Sequence, residues 1–432
     1  MSVTASLLVL AASVAALMGA IALVRRAGTH WSWHAEVSRK AVHVAIGLYA
    51  LVLPLLFDAR WPVVCLILTS LALMAWLRRP TSRASGLGAT IHAVERRSFG
   101  DVWLALAIGF VFLQSEGRYI VYALPIAIIA ISDAAAALTG TSYGRMRFAI
   151  QGGVKSWEGV VAFFAVTLII AMVMLLLLTD VPRINVVVLS LTVATFAATV
   201  EAVSWRGLDN LFVPIATHLF LSGWLYAPPL SLLWLGLAFL AAVLLVVVVS
   251  SRLGLGDHFS RALVIAAFAF LGTAGIYGTV LPALVLAAHL VARRVRPSPS
   301  NHADLDVVAT VSAAGLIWFF IGGMVGPSAI NLYNAAMAGM LLGYVWIAFP
   351  ALACRVLAPV GTLGVLFVLV ENGPDYARWV SSYPAIASGT LALMVPCLAL
   401  RSEWFDRWRA PRLAAVSSIV PLCAYFLQAV TS

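Results

Sequence analysis

The chain has 432 residues, of which 63% are hydrophobic and only 10% are charged. This composition excludes an ordinary soluble domain, because such domains carry about 25% charged residues. The formal charge of +10 comes from 27 basic residues against 17 acidic ones. Because the basic residues lie at the ends of apolar runs, this charge indicates membrane topology and gives no case for nucleic-acid binding.

Apolar runs recur along the whole chain at lengths near the ~20 residues that span a bilayer. They predict an all-α, polytopic transmembrane helical bundle of about 14–16 spans. The first run lacks a basic segment before it, so we expect an uncleaved anchor. The predicted spans, in chain order, are residues 4–24, 41–57, 61–77, 101–115, 119–138, 160–179, 184–203, 210–226, 229–250, 262–276, 278–292, 306–325, 331–350, 356–371, 384–400 and 413–430.

The distribution of basic residues predicts the orientation of the chain. With the N-terminus outside, only Arg60, Arg118, Arg183 and Arg378 of the 27 basic residues fall in outside loops. Cytoplasmic loops collect lysine and arginine. We therefore expect an integral, multi-pass protein, in the inner or plasma membrane if the source is bacterial.

The density of polar motifs divides the chain into two predicted domains. Residues 1–228 carry short polar motifs at the inside ends of spans, whereas residues 229–432 are apolar spans joined by arginine-containing turns. Pro228 and Pro229 mark the boundary between them. We expect the functional site in the first domain, and the sequence assigns no role to the second.

The first polar motifs lie on predicted helices. Arg39, Lys40 and His43 share one helix face, since they are three and four residues apart. Asp133 lies within a span, where a carboxylate costs about 2.5–3.5 kcal/mol, and it therefore predicts a polar cavity, a cation or a partner. The glycines that follow, Gly140 and Gly144, permit either close backbone approach to an anion or close helix packing.

The stretch "QGGVKSWEGVV" places a polar turn immediately before an apolar helix. Gly152 and Gly153 predict a sharp turn, Ser156 an N-cap, and Glu158 a first-turn acid. Only two of the 27 basic residues are lysines, and Lys155 is one of them. Free amides beside Lys155 predict either an anion site suited to phosphate or a capped helix start with one cytoplasmic lysine.

The last polar motif of the first predicted domain consists of carboxylates near the inside ends of later spans. Glu201 is followed by Asp209 and Asn210. Carboxylate oxygens beside basic groups suit a magnesium nucleotide, because the oxygens bind the cation and the basic groups bind the phosphates. An ion-pair network between helices would use the same residues. Since the predicted topology places all these motifs on one side, we expect one shared site at the cytoplasmic face.

With these motifs, residues 36–226 resemble the family of polytopic CTP-dependent lipid kinases that includes phytol kinase, dolichol kinase and the yeast-type diacylglycerol kinase. Val154 stands where the dolichol kinase type has a second lysine, which leaves open whether the donor is CTP or another nucleotide. Asp101 stands where a glutamate is more usual. The similar positions are Arg39, Lys40 and His43; Asp101 in "SFGDVWLAL"; Asp133, Ala136, Gly140 and Gly144 followed by "VKSWEG"; and Glu201, Asp209, Asn210 and Pro214.

The resemblance implies transfer of a phosphoryl group from CTP, or another nucleotide, to the hydroxyl of a lipid alcohol such as phytol, dolichol or diacylglycerol. It implies Mg²⁺ held by Asp133, Glu201 and Asp209, and His43, Asp101 or Glu158 as the group that orients or deprotonates the hydroxyl. The lipid alcohol, the nucleotide and membrane lipids are the implied partners. The implied nucleotide-binding residues are Arg39, Lys40, Gly140, Gly144, Gly153, Lys155, Ser156, Gly159 and Asn210.

Two other functions compete with this interpretation. A cytidylyltransferase that forms a CDP-lipid would share the membrane, the nucleotide and the magnesium, but the Gly-His-Gly-Gly signature of the phosphatidate enzyme is absent from the sequence. A transporter is suggested by the number of spans and by the glycine-rich segment 321–339. Against a transporter, few charges lie deep in the later spans, and packing of small residues between helices explains these glycines better.

Overall fold

The computed structural model describes residues 2–77, 99–150, 153–250, 256–325, 329–373 and 383–431. Within these ranges the chain forms sixteen α-helices and one two-stranded sheet. The elements up to residue 250 are α1 (Val3–His30), α2 (Ala35–Leu56), α3 (Arg60–Leu77), α4 (Gly100–Gln114), α5 (Tyr119–Ala127), a π-helical segment (Ile128–Ser132), α6 (Asp133–Tyr143), β1 (Arg147–Ile150), β2 (Gly153–Ser156), α7 (Trp157–Leu178), α8 (Arg183–Val203), α9 (Asp209–Trp224) and α10 (Pro229–Ser250).

The later elements are also helical. They are α11 (Asp257–Val295), α12 (Ala303–Val325), α13 (Ile330–Ala348), α14 (Leu352–Glu371), α15 (Tyr383–Leu400), a 3₁₀ turn (Ser402–Phe405) and α16 (Arg409–Thr431).

Twelve helices in the described ranges are long and apolar enough to cross a membrane. Their outer faces carry large apolar side chains that remain exposed, such as Val161, Ile169 and Leu177 on α7. Apolar surface of this kind is stable when it faces lipid. The chain is therefore an integral, multi-pass membrane protein, and the predicted all-α polytopic bundle is confirmed. The outside location of the N-terminus stays a prediction.

The count of twelve is lower than the sixteen predicted spans for identifiable reasons. Two apolar helices, Arg60–Trp76 and Gly100–Gln114, are too short to be counted, and α9 has only 16 residues. Helix α11 counts once, although Gly275 interrupts it with φ of 62° and ψ of −169°. This break falls at the end of the predicted span 262–276, next to the span 278–292, at a backbone conformation that favours glycine.

The chain divides into two compact units, Met1–Leu245 and Val246–Ser432. The division falls inside α10, beyond Pro228 and Pro229, because α10 is one continuous helix from Pro229 onward. The interior face of α10 belongs to the first unit, where Phe239 packs edge-to-face against Phe196 of α8. The assignment of function to residues 1–228 and 229–432 stays a prediction.

In the first unit, α5 and the π-helical segment form the centre. From Ile120 through Ala130 every residue is buried, and these residues pack against α2, α7 and α9. A helix that is apolar on all sides is stable only when other helices surround it. This central position brings the polar residue that follows, Asp133, into the interior of the unit.

A proline in α2 creates a free carbonyl that a neighbouring helix uses. Pro54 has no N–H, so the carbonyl of Ala50, four residues earlier, loses its helical donor. The hydroxyl of Tyr122 in α5 donates to this carbonyl at 2.6 Å. In lipid, a carbonyl left without a donor is costly, so this bond fixes α5 against α2.

The same arrangement recurs one helix further. Pro125 in α5 frees the carbonyl of Val121, and Nδ1 of the buried His218 in α9 donates to it at 2.8 Å. Because a carbonyl only accepts hydrogen bonds, His218 carries its proton on Nδ1. Tertiary hydrogen bonds thus replace the two helical bonds that the prolines remove.

In the second unit, α13 is the central helix. Seventeen of its nineteen residues are buried, and it packs against α11, α12, α14, α15 and α16. Small residues permit this close packing: a Cβ on Gly339 would meet the Ser417 Cβ at 2.6 Å. The glycines of this helix therefore serve helix packing, as small residues do in membrane bundles.

The segment before α7 differs from its prediction. The sequence predicts a turn followed directly by a helix, whereas the structure has an antiparallel hairpin in which β1 pairs with β2. Phe148 lies opposite Lys155, and Ile150 opposite Gly153. Gly152, predicted as part of the turn, lies outside the described residues. The hairpin holds Lys155 in an extended strand and thereby fixes the direction in which its side chain leaves the backbone.

Candidate functional site

The predicted polar motifs of the first unit meet around two lysine–carboxylate pairs, one of them buried and the other partly buried. The first pair joins α2 to α6: Nζ of Lys40 lies 2.5 Å from Oδ2 of Asp133. Only 5% of the Lys40 side chain and 7% of the Asp133 side chain are exposed. A buried charge of this kind is tolerated only with an opposite charge beside it. Of the three surroundings predicted for Asp133, the structure contains a partner, and this partner is Lys40.

His43 completes the first pair. Its Nε2 lies 2.9 Å from the carbonyl oxygen of Ile129 and 3.3 Å from Oδ2 of Asp133. The π-helical segment interrupts the regular helical hydrogen bonds, and the Ile129 carbonyl within it accepts from His43. Because that carbonyl only accepts, the imidazole carries a proton on Nε2. His43 therefore orients Asp133 and the π-helical segment together.

The second pair joins β2 to α8 and α9. Nζ of Lys155 donates to Oε1 of Glu201 at 2.6 Å and also to the Glu201 carbonyl oxygen. Oδ2 of Asp209 lies 3.9 Å from the same ammonium. One ammonium thus lies between two carboxylates that come from the end of one helix and the start of the next.

Electrostatics keep Lys155 charged. Burial lowers the pKa of its ammonium, but the carboxylates of Glu201 and Asp209 outweigh burial and raise the pKa above its ordinary value of 10.5. The carboxylate of Asp133 acts in the same direction. The charge of Asp133 therefore reaches Lys155, which places both lysine–carboxylate pairs in one electrostatic environment.

Arg39 does not join these pairs directly. It forms a two-pronged contact with Glu36 on the same helix, with Nη2 to Oε1 at 2.6 Å and Nε to Oε2 at 3.0 Å. Its side chain is 36% exposed, in contrast to the neighbouring Lys40. Glu36 was missed from the sequence, although its spacing of three residues before Arg39 is the usual signal for a helical ion pair.

Three glycines surround the hydroxyl of Ser156. A Cβ on Gly140 would meet Oγ of Ser156 at 3.0 Å, one on Gly144 at 2.9 Å, and one on Gly159 at 3.2 Å. The same Oγ accepts from the Gly159 amide at 3.1 Å, so the predicted N-cap of α7 is confirmed. Of the two alternatives for Gly140 and Gly144, the structure displays close packing of α6 against α7. Their contact with a nucleotide stays a prediction.

Glu158 stabilises the chain between α6 and the hairpin. Its Oε1 accepts hydrogen bonds from the backbone amides of Arg145 at 2.9 Å and Met146 at 3.0 Å. The other oxygen, Oε2, is buried without a hydrogen-bond partner among the described residues. Glu158 therefore holds the start of β1 next to the start of α7.

Asn210 connects the start of α9 to the start of α4. Its Nδ2 donates to the carbonyl oxygen of Gly100 at 3.0 Å, and its Oδ1 is buried without a hydrogen-bond partner in the part of the chain described here. Asp101 follows Gly100 in the first turn of α4. Asn210 therefore brings Asp101 to the same end of the unit as Asp209.

The three predicted metal ligands lie in two places. Glu201 and Asp209 flank Lys155, whereas Asp133 is paired with Lys40. Among the described residues, no group of three or more histidine, cysteine, aspartate or glutamate side chains is arranged to hold a metal ion. The oxygen donors are of the type that Mg²⁺ prefers, so the donor chemistry fits. Lys155 lies between Glu201 and Asp209, and Lys40 is paired with Asp133.

Sequence reasoning also missed a buried pair of hydroxyls. Oγ1 of Thr167 in α7 donates to Oγ of Ser132 at 2.9 Å, next to Asp133 in the chain. Both residues are fully buried. Single hydroxyl residues in apolar spans give no sequence signal, because either side chain is equally well satisfied by its own helix backbone.

Comparison with known proteins gives one informative similarity. No family model matches the chain, and no solved structure matches it. A phytol kinase from Synechocystis sp. is 32% identical over 206 residues, which cover 47% of this chain and 82% of the relative. The larger part of the chain lies outside this similarity. Because most of the relative is covered at this identity, the chain belongs to the family that includes this phytol kinase.

Proposed function

We propose that the chain is a membrane lipid kinase that transfers a phosphoryl group from CTP, or another nucleoside triphosphate, to the hydroxyl of a lipid alcohol. Isoprenoid alcohols are the first candidates, because the relative is named a phytol kinase. The observation that carries the proposal is the convergence of two lysine–carboxylate pairs, Lys40 with Asp133 and Lys155 with Glu201.

The chemistry of phosphoryl transfer explains why such pairs suit the reaction. The enzyme must mainly position the phosphates and neutralise their charge. In the proposed mechanism, Lys155 turns from Glu201 and Asp209 to the phosphates of the nucleotide. Glu201 and Asp209 would then be free to hold Mg²⁺, and Asp133 would have to leave its pair with Lys40 to serve as the further ligand. The bound metal would neutralise charge on the phosphate oxygens.

Lys40 and Arg39 supply further positive charge beside the phosphates. Lys40 is buried, so its position is fixed by α2, while Arg39 is partly exposed and retains freedom to move. Gly153 begins β2 and Ser156 caps α7, on either side of Lys155. In this proposal both residues contact the phosphates of the nucleotide. A helix start with free amides is a favourable place for an anion.

Among the three predicted proton acceptors, we favour Asp101. Asp101 lies in the first turn of α4, tied to the site through Asn210 and Gly100. In this proposal Asp101 receives the proton of the lipid hydroxyl as the new P–O bond forms, while the bond between the γ-phosphorus and its bridging oxygen breaks and the nucleoside diphosphate leaves.

The test is a reaction with purified full-length protein, Mg²⁺, several nucleoside triphosphates, and a panel of phytol, dolichol and diacylglycerol. We expect a nucleoside diphosphate and a lipid monophosphate in equal amounts. Release of pyrophosphate together with a CDP-lipid would instead identify a cytidylyltransferase. Absence of any nucleotide-dependent product across the whole panel would contradict the kinase proposal.

The proposed cytoplasmic location of the site has its own test. In a variant without native cysteines, a single cysteine at position 150 in β1 and another at position 180 between α7 and α8 are labelled with an impermeant reagent. We expect position 150 to react only from the cytoplasmic side and position 180 only from the opposite side. Labelling of both from one side would contradict the orientation.

A further inference from the structure

A cavity in the second unit has no part in the proposed phosphoryl transfer. Its volume is about 270 Å³, near the lower end of the ~300–1,000 Å³ of small-molecule sites. The cavity lies where α11, α13 and α15 end and where α14 begins. Three apolar side chains, Trp346, Leu398 and Phe405, and three polar ones, Arg296, Arg355 and Ser402, contribute to its wall.

Arg355 is the main reason to regard this cavity as a binding site. Its guanidinium lies over the ring of Trp346, with 5.4 Å between Cζ and the ring centroid. Its Nε is buried and has no hydrogen-bond partner among the described residues. A buried donor without an acceptor is costly, and an anion in the cavity would provide the missing acceptor.

Two more arginines make the surroundings positive. Arg296 in the cavity wall pairs with Asp406 through Nη2 at 2.5 Å. Arg409 is 4% exposed, donates to the carbonyl oxygen of Arg296 at 2.9 Å, and has a buried Nε without a partner in the described structure. Its Nη2 lies 3.5 Å from Oδ1 of the same Asp406. Two guanidinium groups, those of Arg296 and Arg409, therefore share one carboxylate, and Arg355 adds a third positive charge in the cavity wall.

We propose that this cavity binds a phosphate group at the head of an apolar chain. The planar guanidinium is the side chain best suited to phosphate oxygens. The apolar part of the wall, formed by Trp346, Leu398 and Phe405, suits the first carbons of the chain. The helices that frame the cavity are membrane spans, so a lipid tail continues from the cavity into the bilayer.

The proposal is tested on the full-length protein with dodecyl phosphate as the probe, by equilibrium binding in nanodiscs of neutral lipid. Dodecanol, dodecanoate and inorganic phosphate are the comparison ligands, and phosphatidylglycerol is added separately to test a phosphodiester lipid. We expect dodecyl phosphate to bind at least about tenfold more tightly than each comparison ligand, because charge-assisted hydrogen bonds and burial of the chain both contribute. Competition by phosphatidylglycerol would identify membrane phospholipid as the source of the phosphate, and lack of competition would identify a lipid monophosphate.

Variants locate the binding. Arg355→Gln is expected to weaken the binding of dodecyl phosphate about tenfold or more. Arg412→Gln is the matched control, because Arg412 also lies over a tryptophan, Trp404, but outside the cavity wall. Ser402→Phe, which fills the cavity and keeps both arginines, should have the same effect as Arg355→Gln. The proposal would be overturned if dodecyl phosphate bound equally well to the parent and to all variants. It would also be overturned if dodecanoate or inorganic phosphate bound the parent as tightly as dodecyl phosphate does.

Discussion

Lys40 and Asp133 form a buried ion pair of 2.5 Å although 93 residues separate them in the chain. The pair connects α2 with the helix that follows the π-helical segment, and His43 contacts the same carboxylate oxygen. Each charge therefore depends on the other for its stability in the interior.

This dependence predicts how the pair responds to substitution. Asp133→Asn leaves the ammonium of Lys40 buried without a counter-charge, so we expect a loss of about 3–5 kcal/mol in the free energy of unfolding. The double variant Lys40→Met, Asp133→Leu should recover most of this loss, because two apolar side chains of similar size replace the pair. Thermal unfolding in one detergent measures both effects.

The same variants separate stability from activity. If both groups act in the reaction, the double variant should fold well and have no measurable turnover. Full turnover in the double variant would mean that the pair only holds the helices together. An unfolding temperature of Asp133→Asn equal to that of the parent would contradict the buried pair itself.

Lys155 has a specific geometric role that predicts the effect of a conservative change. Its ammonium contacts the carboxylate and the carbonyl of Glu201 from a strand, and a planar guanidinium is too broad for the same position. We expect Lys155→Arg to insert normally and to lower turnover at least about tenfold, a loss of about 1.4 kcal/mol of transition-state stabilisation. Turnover is measured at saturating nucleotide with matched amounts of protein in the membrane.

The control for this change is Arg26→Lys, an equally conservative exchange at an exposed position of α1. It should leave turnover unchanged. Unchanged turnover in Lys155→Arg as well would reduce Lys155 to a structural and topological role.

Gly144 predicts a packing effect close to the site. A Cβ at this position would clash with the Gly140 carbonyl oxygen and would lie 2.9 Å from both Cβ and Oγ of Ser156, so Gly144→Ala must displace the end of α6 and the start of α7. We expect a loss of about 1–3 kcal/mol in stability together with reduced turnover, since Lys155 precedes Ser156. Gly223→Ala in α9 is the control, because no atom lies within 4 Å of its added Cβ. Equal stability and equal turnover of the two alanine variants would contradict the proposed need for close packing at Gly144.

The hydrogen bond between Tyr122 and the Ala50 carbonyl predicts coupling between two helices. Tyr122→Phe removes the donor that replaces the N–H missing at Pro54, so we expect a loss of about 1–3 kcal/mol. In a Pro54→Ala background the helix supplies its own donor, and the same Tyr122→Phe change should cost much less. A double-mutant cycle on unfolding measures the difference. Identical costs in both backgrounds would mean that the proline does not create the need for the tyrosine.

The division into two units predicts where the chain can be shortened. A protein that ends after Ser250 keeps α10 whole, whereas one that ends at residue 228 removes a helix that packs on α8 through Phe239. We expect the protein that ends after Ser250 to insert, to unfold cooperatively and to retain kinase turnover in detergent. A well-inserted, nucleotide-binding truncation without turnover would show that the second unit takes part in the reaction.

Much of the first unit was predictable because burial in a membrane leaves a strong local signal. The positions of the spans follow from runs of apolar residues, and the N-cap at Ser156 follows from a hydroxyl directly before such a run. The expectation that Asp133 has a partner also follows from local chemistry, since an isolated carboxylate in a span is costly.

The pairings were not predictable, because they depend on which helices become neighbours. The sequence places Arg39, Lys40 and His43 on one face, but only the fold reveals that Lys40 and His43 contact Asp133 while Arg39 pairs with Glu36. The hairpin of β1 and β2 was also missed. A glycine-containing turn between two short segments is a signal for a hairpin, and here it was interpreted only as a turn.

Because of the π-helical segment at Ile128–Ser132, adding or removing a single residue in this helix has structural consequences. A π turn holds one residue more than the α-helical path would, and each residue rotates the helix by about 100°. Deleting Ala130 would restore a regular α-helix with Asp133 in nearly the same phase, but the Ile129 carbonyl would then bond within the helix and no longer accept from His43. The deleted form would still be long and apolar enough to insert, so its hydropathy profile would look normal while its turnover is lost. Variation among natural relatives should therefore conserve the number of residues between Tyr122 and Asp133 more strictly than their identities.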